Sequence, residues 1–475
     1  MKSIADRSLS VVLIVLIPLI VINSVWWITE YLSMDLTSGV WAGLAMDVAD
    51  GVLYRPLYGQ TGFGGTRYMP FFPVLHGLLI SLGLPAVAAG LVLNAAILVA
   101  LMVGVYRLLC ITGAKRRLAL AGTLMVMAPS SFFLLATSLR GDALPLMLGI
   151  WGLVFVAQER AGLASLIGAA FFFALAFFSK FSSIAASAAG FFFLWFQVGK
   201  RRALELLGLT FVVCLLLLGL VQVLSGGRFI EIMLACAGGG MDIYSVSKAP
   251  YRMLAYMDYP TLLMFFAGLG AGWHIWKTGY KKVPVLFFIW NIAATLIIFM
   301  SPGTIANHLL DLFVASLIVT IASMVHEQGL SMRTGVIFLS LIVLFGIEVT
   351  VQRMGEQVVK PMNNYAIYSQ AADMAGSGAG PILSENPMIP VINGQTPYLA
   401  DPYLFAILAK RNPDLRNKME ENIRQGIFSA VVLANHAGGA SIKFLDDSLV
   451  DLVKEHYQKT GQVDGFTVYT RKDTP

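Results

Sequence analysis

Apolar residues run through this chain in long unbroken blocks rather than in the mixed pattern of a soluble fold. They are read at Leu9–Ile28, Pro85–Cys110, Leu118–Leu135, Leu144–Val156, Ala161–Ser179, Phe181–Val198, Ala203–Leu224, Pro260–Trp276, Val283–Met300, Leu309–Met324 and Thr334–Val351. A hydrocarbon core about 30 Å thick takes roughly 20 apolar residues per helical crossing, so the blocks predict about 11 transmembrane helices. The shorter stretch Phe71–Gly83 is read as a half-buried or re-entrant part of the first outer loop. After Gln352 the hydropathy falls to soluble values and the period changes. Helices are expected at Asn363–Met374, Asp401–Lys410, Pro413–Arg424 and Asp447–Tyr457. Strands are expected at Pro381–Ser384, Met388–Ile392, Phe428–Leu433 and Gly465–Tyr469, with a turn at Asn393-Gly394. The expected fold class is a polytopic α-helical membrane protein with interfacial helices in its first outer loop and a small C-terminal α/β outer domain. The boundaries are 1–352 for the transmembrane catalytic domain and 353–475 for the outer, periplasmic one.

Composition agrees with that reading. Of 475 residues 57% are hydrophobic and 13% charged, against roughly 25% charged in soluble domains. Lys and Arg give the orientation. With the N-terminus inside, Lys2, Arg7, Arg107, Lys115, Arg116, Arg117, Arg160, Lys200, Arg201, Arg202, Lys277, Lys281, Lys282 and Arg333 fall on the inner side before the tail. Only Arg55, Arg67, Arg140, Lys180, Arg228, Lys248 and Arg252 fall outside. The first block is too long for a cleaved leader and ends at Trp26-Trp27, an interfacial pair, without a small-residue cleavage site. This loop bias accounts for the net charge of +6, which leaves nucleic acid without support as a partner. Three dispersed cysteines, Cys110, Cys214 and Cys236, make no readable disulfide framework.

The acids are as one-sided as the bases. Glu30, Asp35, Asp47, Asp50, Asp142, Glu231, Asp242, Asp258, Asp311 and Glu348 fall outside, and the spans are nearly free of charge. A transporter or pump wants ionisable groups near the midplane and often carries paired Gly/Pro-broken spans; neither is visible. Chemistry at the outer surface fits better than transport of lipid-linked sugars, the competing reading. A membrane-anchored binding protein ranks third, because the tail has no metal-spaced cluster and no phosphate loop.

The most informative stretch runs from Met34 to Pro56. Val40, Leu44 and Val48 recur every four residues, which predicts an interfacial amphipathic helix from about Thr37, closed by Asp50-Gly51. Asp35 stands just ahead of it, as its cap or as a reactive carboxylate; Thr37 or Ser38 could also cap. An Asp after the first span, a loop helix, Gly51-x-x-x-Tyr-x-Pro56 and Arg67-Tyr68-Met69-Pro70 together resemble the GT-C superfamily. That superfamily includes protein O-mannosyltransferases and the lipid A aminoarabinose transferases. Ser138-Leu-Arg140-Gly-Asp142 resembles its second motif, and Ala306-Asn307-His308-Leu309-Leu310 a late Asn/Arg-Tyr-Leu-Leu stretch. The tail from Ile382 to Pro402, with Phe428–Leu433, is similar to the outer domain of many bacterial members. One departure stands out: many members carry an acidic pair in the first loop, whereas Leu36 and Thr37 follow Asp35 here.

The resemblance implies an inverting glycosyltransferase of the bacterial inner membrane. It would move one sugar, hexose or pentose, from a polyprenyl-phosphate carrier to a glycan, lipid or protein acceptor at the outer face. Asp35 is then the candidate base, with Asp142 its alternative or an orienting partner. Arg140 is the first candidate for the phosphate, its planar fork suiting phosphate oxygens. Arg228, Lys248 and Arg252 follow, and Arg55 and Arg67 are further candidate substrate cations. Tyr244 and Tyr251 are candidates for stacking on sugar or prenyl groups; Asn307 and His308 for hydrogen bonding. Lys180, between two closely joined apolar blocks, needs a partner such as the carrier phosphate. A divalent metal stays open as cofactor, with Asp35, Asp142 and His308 as its candidate ligands. The alternatives are local ones: an Asp142–Arg140 ion pair, snorkelling cations and a structural histidine. Phe171–Phe178 and Phe191–Phe196 line the prenyl chain's groove or pack against neighbours.

Overall fold

The computed structural model describes residues 32–158, 162–237, 243–278, 282–301, 303–325, 364–376, 378, 380–435 and 444–472. The expected first and eleventh spans, Leu9–Ile28 and Thr334–Val351, lie outside these residues. The first loop carries α1 (Leu36–Ala49), a two-residue hairpin of β1 (Tyr58–Gly59) and β2 (Gly62–Phe63), and α2 (Phe71–Ser81). The bundle follows: α3 (Ala86–Ile111), α4 (Arg116–Met125), α5 (Ser130–Thr137), α6 (Ala143–Val156), α7 (Leu163–Ser179), α8 (Ala185–Phe193) and α9 (Lys200–Leu224). Then come α10 (Arg228–Ala237), α11 (Ile243–Ala255), α12 (Tyr259–Thr278), α13 (Val283–Phe299), a 3-10 turn at Ala306–His308 and α14 (Leu309–Val325). Most expected spans thus appear as helices within a few residues of their expected limits.

Among the described residues three helices are long and apolar enough to cross a membrane alone, Ala86–Ile111, Lys200–Leu224 and Ala306–Val325. They differ in exposure. The last is the centre of the bundle, packed by α12 and α13. Its Ser316 and Thr320 hydroxyls return to carbonyls one turn back, at 2.7 Å each, which hides them from the apolar surroundings. By contrast α9 leaves Leu207, Phe211, Leu215, Leu216, Leu220 and Val223 exposed. At 25 residues it is about 37 Å long, and such an apolar cylinder is stable facing hydrocarbon, not water. The protein is an integral membrane protein. On α6 and α7, a Cβ at Gly152 would come within 2.3 Å of the Phe173 ring, so the glycine sets how closely these helices approach.

The structure departs from the sequence expectation in five places. The single span expected at Leu118–Leu135 is two helices, α4 and α5, bent by 70°. Pro129 at the break has no N–H to continue the helix, and the Asp258 carboxylate accepts from Ser130 N at 2.5 Å and Thr261 N at 2.9 Å, capping α5 and α12 together. The break lays α5 beside the Ala306–His308 turn. The connection between the blocks ending at Leu224 and starting at Pro260, where no element was expected, is largely helical, as α10 and α11. The loop helix α1 is not a one-sided interfacial helix: Ser38 through Ala45 are all buried, with α2 on one side and the tail on another. In the tail, Met388–Ile392 is a short helix, not a strand. Asn386 Oδ1 accepts from Met388 N at 3.0 Å, and Pro390 could donate nothing to a ladder. Finally, a strand at Tyr457–Val463 went unseen because its residues are mostly polar.

The tail is built of α15 (Asn364–Ala375), β3 (Ile382–Ser384), α16 (Met388–Ile392), α17 (Pro402–Ala409), α18 (Pro413–Arg424), β4 (Ala430–Ala434), α19 (Asp447–His456), β5 (Tyr457–Val463) and β6 (Phe466–Arg471). Its sheet has the order β3-β4-β6-β5, with β3 parallel to β4 and the other pairs antiparallel. Asp464-Gly465, with Gly465 at φ +80°, closes the β5–β6 hairpin.

The tail does not hang free of the bundle. Phe63 N donates to Tyr398 O and Ala400 N to Phe63 O, each at 2.9 Å. Gly39 and Gly43 of α1 abut Met388 and Pro397; a Cβ on Gly39 would lie 2.2 Å from Met388 N. Because that neighbour is backbone, Gly39→Ala is expected to force α1 and α16 apart and cost about 1–3 kcal/mol or more. Thermal unfolding of the purified protein in detergent checks this. Gly208→Ala, which has open space around it, is the control and should change little.

Candidate active site at one end of the helix bundle

Four connections, remote in sequence, meet at one end of the bundle: 32–35, 138–142, 180–184 and 304–308. All four follow odd-numbered expected spans, so the sequence topology places them on one side, and the fold brings them together. The first two are tied by Ser33 N to Thr137 O at 3.0 Å and Leu139 N to Ser38 Oγ at 3.2 Å. From α3, the buried Asn94 amide donates to Ser138 O at 2.6 Å and Leu135 O at 3.3 Å. Gly141 lies against Phe72 and Trp41, where a Cβ would come within 2.8 Å of the Phe72 ring. Its neighbours Arg140 and Asp142 enter two different ion pairs.

The first pair is Asp35 with Arg140. Asp35 caps α1, its Oδ1 accepting from Ser38 N at 2.8 Å and Ser38 Oγ at 3.0 Å, while Oδ2 accepts from Arg140 Nη2. Capping and a reactive role are therefore compatible, one oxygen for each. Asp35 keeps 34% of its side chain exposed while Arg140 keeps 4%. Burial alone would lower the Arg140 pKa, but Asp35 and Asp142 outweigh it and raise the value, so this cation is permanent. Among the described residues its buried Nε has no hydrogen-bond partner.

The second pair is Asp142 with Lys180, and it replaces the local Asp142–Arg140 pairing that adjacency in sequence suggests. Asp142 Oδ1 accepts from Lys180 Nζ at 2.8 Å, and Oδ2 from Asn307 Nδ2 at 2.8 Å. His308 Nδ1 is 2.6 Å from Lys180 Nζ. Burial works to raise the Asp142 pKa, yet the Lys180 ammonium and its other neighbours hold it well below the carboxylate range. The His308 imidazole thus closes a cluster of Asp142, Lys180 and Asn307.

Tyr68, which sequence reasoning passed over as a site residue, also faces this region. It packs against Trp41, the rings tilted by 44° with centroids 4.3 Å apart. Burial raises its phenol above 10, with Asp401, Arg140, Asp142 and Arg67 in its field. Its place inside Arg67-Tyr68-Met69-Pro70 was the available signal. From the tail, Tyr368 is 9% exposed; burial first, then the Asp35 charge, push its phenol up to about 12.

Other expected site residues lie elsewhere. Arg55 is buried, 2.9 Å from Asp47 and donating to Thr61 O at 2.6 Å and Pro397 O at 3.0 Å; it joins the first loop to the tail. Arg55→Met, which leaves Asp47 buried without its cation, is expected to destabilise by about 3–5 kcal/mol, read as a lowered Tm. Arg67 lies over the Tyr403 ring at 5.6 Å. Arg252 donates to the carbonyls of Phe299, Ser301 and Thr304 at 2.9–3.1 Å, fixing α11 to the loop after α13. Arg228 bonds Ser225 O at 2.8 Å. Lys248 sits 4.1 Å over the exposed Tyr244 ring on α11, and Tyr251 is exposed on the same helix. Of the Phe-rich stretches, Phe172 stacks with Phe155 and Phe192 with Trp290, so packing accounts for much of them.

Asp35, Asp142 and His308 do not converge as metal ligands. Lys180 occupies the space between Asp142 and His308, and Asp35 is taken by Arg140. Among the described residues no three His, Cys, Asp or Glu side chains form a metal-holding group.

The fold of this chain is similar to that of solved membrane glycosyltransferases of the GT-C class. ArnT from Cupriavidus metallidurans, in its structure with undecaprenyl phosphate, is 11% identical with a TM-score of 0.63 over 97% of this chain and 98% of that one. An oligosaccharyltransferase of Archaeoglobus fulgidus gives 10% and 0.56, over 88% of this chain and 69% of its own. The arabinofuranosyltransferase AftD from Mycobacteria gives 12% and 0.52, over 98% and 40%. No protein-family model and no curated protein matches the sequence. At these identities the likeness is one of fold.

Proposed function

We propose that this protein is an inverting glycosyltransferase that moves a sugar from a polyprenyl-phosphate carrier to a glycan, lipid or protein acceptor at the outer face of a bacterial inner membrane. The observation that carries the proposal is the pair of carboxylate–cation contacts, Asp35–Arg140 and Asp142–Lys180, gathered from four connections at one end of a GT-C bundle. The solved relative with undecaprenyl phosphate supports the carrier class.

The chemistry needs a base for the acceptor and cations for the leaving phosphate. Asp35 is partly exposed, and its Oδ2 is free to take the acceptor proton once Arg140 turns to the phosphate. The acceptor oxygen forms a bond to the anomeric carbon from the face opposite the carrier, and the bond from that carbon to the phosphate oxygen breaks. The proton goes to Asp35, and the electron pair leaves with the polyprenyl phosphate, whose charge Arg140 and Lys180 hold. Asp142, already bonded to Lys180 and Asn307, positions the lysine rather than taking a proton. The tail, at residues 353–475, would lie on the outer side, as the charge bias requires, and closes over α1.

The test is the purified chain in proteoliposomes, supplied with undecaprenyl-phosphate sugars and a cell-envelope extract as acceptor. The expected result is label moving covalently to the acceptor, with undecaprenyl phosphate released. Label that crosses the bilayer still attached to its lipid would instead support the flippase reading.

A further inference from the structure

The tail meets the bundle beside the candidate base. Met34, which precedes Asp35, and Leu139, which precedes Arg140, share one buried cluster with Tyr368 and Ala371 of α15 and with Met388 and Ile389 of α16. Gly39 of α1 abuts the Met388 backbone, and Gly39 N in turn donates to Asp35 O at 3.2 Å. Close packing on this scale holds the tail in one register against the segment that carries Asp35. The sequence offers no candidate site residue in the tail.

Tyr368 is the tail side chain whose polar end faces that carboxylate. Its ring meets Phe466 of β6 edge to face, with centroids 5.6 Å apart and planes at 77°. Its phenol has the Asn386 side chain and the Asp35 charge as neighbours. The local chain fixes which atom of Asn386 meets the phenol. Asn386 Oδ1 accepts from Met388 N at 3.0 Å, and Asn386 N and O both bond Ser384 Oγ, at 3.0 and 2.8 Å. The amide cannot turn over without losing its bond to α16, so Nδ2 is the atom that donates to the phenol oxygen. With that oxygen accepting from Asn386, the phenol proton points away from it, and Asp35 is the acid in its field. Burial keeps the phenol protonated at physiological pH, so it presents a donor and not a second negative charge.

The other partners of Asp35 come from the bundle side: Ser38 at Oδ1 and Arg140 at Oδ2. When Arg140 turns to the phosphate, Oδ2 loses the group that fixed its direction. A neutral hydroxyl on the tail side can hold the carboxylate without competing for the phosphate. We propose that Tyr368, set by Asn386, is a positioning residue that aims the Asp35 carboxylate at the acceptor hydroxyl, which makes the tail a working part of the active site. This rests on the transfer reading above and adds a residue from the tail to it.

The test is steady-state transfer in proteoliposomes, with undecaprenyl-phosphate sugars as donors and the cell-envelope extract as acceptor. Tyr368→Phe keeps the ring against Phe466, so Tm should change little while kcat falls about tenfold, a modest cost for a misplaced base. The half-saturating amounts of donor and extract should stay within twofold of wild type. Tyr368→Leu, which loses the ring as well, should be at least as slow and also less stable. On the Asp35→Asn background, Tyr368→Phe should cost less than twofold, because a group that acts through Asp35 has nothing left to position. A Tyr368→Phe rate within twofold of wild type overturns the proposal, and if only Tyr368→Leu is slow, with a lowered Tm, the ring serves packing alone. A full tenfold loss on the Asp35→Asn background overturns it too, because Tyr368 then acts on another group. Wild type that transfers no sugar from any donor sinks the transfer reading itself and this inference with it, whereas a slow step without that coupling sinks the inference alone.

Discussion

Asp35→Asn is expected to lower the transfer rate by about 10²–10⁴-fold, the range that a positioned general base contributes, and to lower Tm as well, because Arg140 stays buried without its carboxylate. The amide can still cap α1 through its oxygen toward Ser38 N, so the helix should remain. What is lost is the acceptor for the hydroxyl proton and the charge that holds Arg140. Sugar release to the acceptor, measured per molecule of protein in proteoliposomes, reads the effect. A rate within threefold of wild type would remove Asp35 from the base role. Donor-lipid affinity, measured in parallel, should stay near wild type or rise, because Arg140 loses a competing carboxylate.

Lys180→Met is the second large effect, and it strikes stability and binding together. Asp142 would keep its burial and the Asn307 bond while losing its principal cation, and uncompensated buried charges of this kind cost about 3–5 kcal/mol. The Asp142 carboxyl pKa, now held low by Lys180, should rise. Thermal unfolding should therefore show a clear loss that the double variant Asp142→Asn/Lys180→Met largely restores, because removing both charges removes the imbalance. Activity should behave differently. The double variant regains stability but not the cation for the leaving phosphate, so transfer stays depressed by tenfold or more. Recovery of both properties together would mean that Lys180 serves only the fold.

The sequence was legible wherever one local quantity decides the outcome. Runs of apolar residues marked the helices of the bundle, because hydrocarbon demands length and apolarity and little else. Lys180 stands out because a cation between two apolar blocks needs a partner, whereas Asp35, Arg140, Asp142, Asn307 and His308 stand out because their stretches resemble motifs of the GT-C superfamily. Charge bias put them on one side. Pro413–Arg424 was read to the residue, since Asn412 and Pro413 give an unambiguous start.

What the sequence left open was partnership. Arg140 and Asp142 are two residues apart, so adjacency suggested that they bond each other; the fold separates them because Gly141 packs on Phe72 and turns the flanking side chains to different neighbours. Those neighbours, 105 and 38 residues away, could be supplied only by the tertiary structure. The same holds for α1. Its four-residue period looked like a one-sided surface helix, but Gly39 and Gly43 let a segment from the tail press on the face assumed to be exposed. Periodicity and composition report what each segment needs from its surroundings, water or hydrocarbon. They carry no record of which remote segment meets that need, because such a contact depends on the packing of all the elements at once.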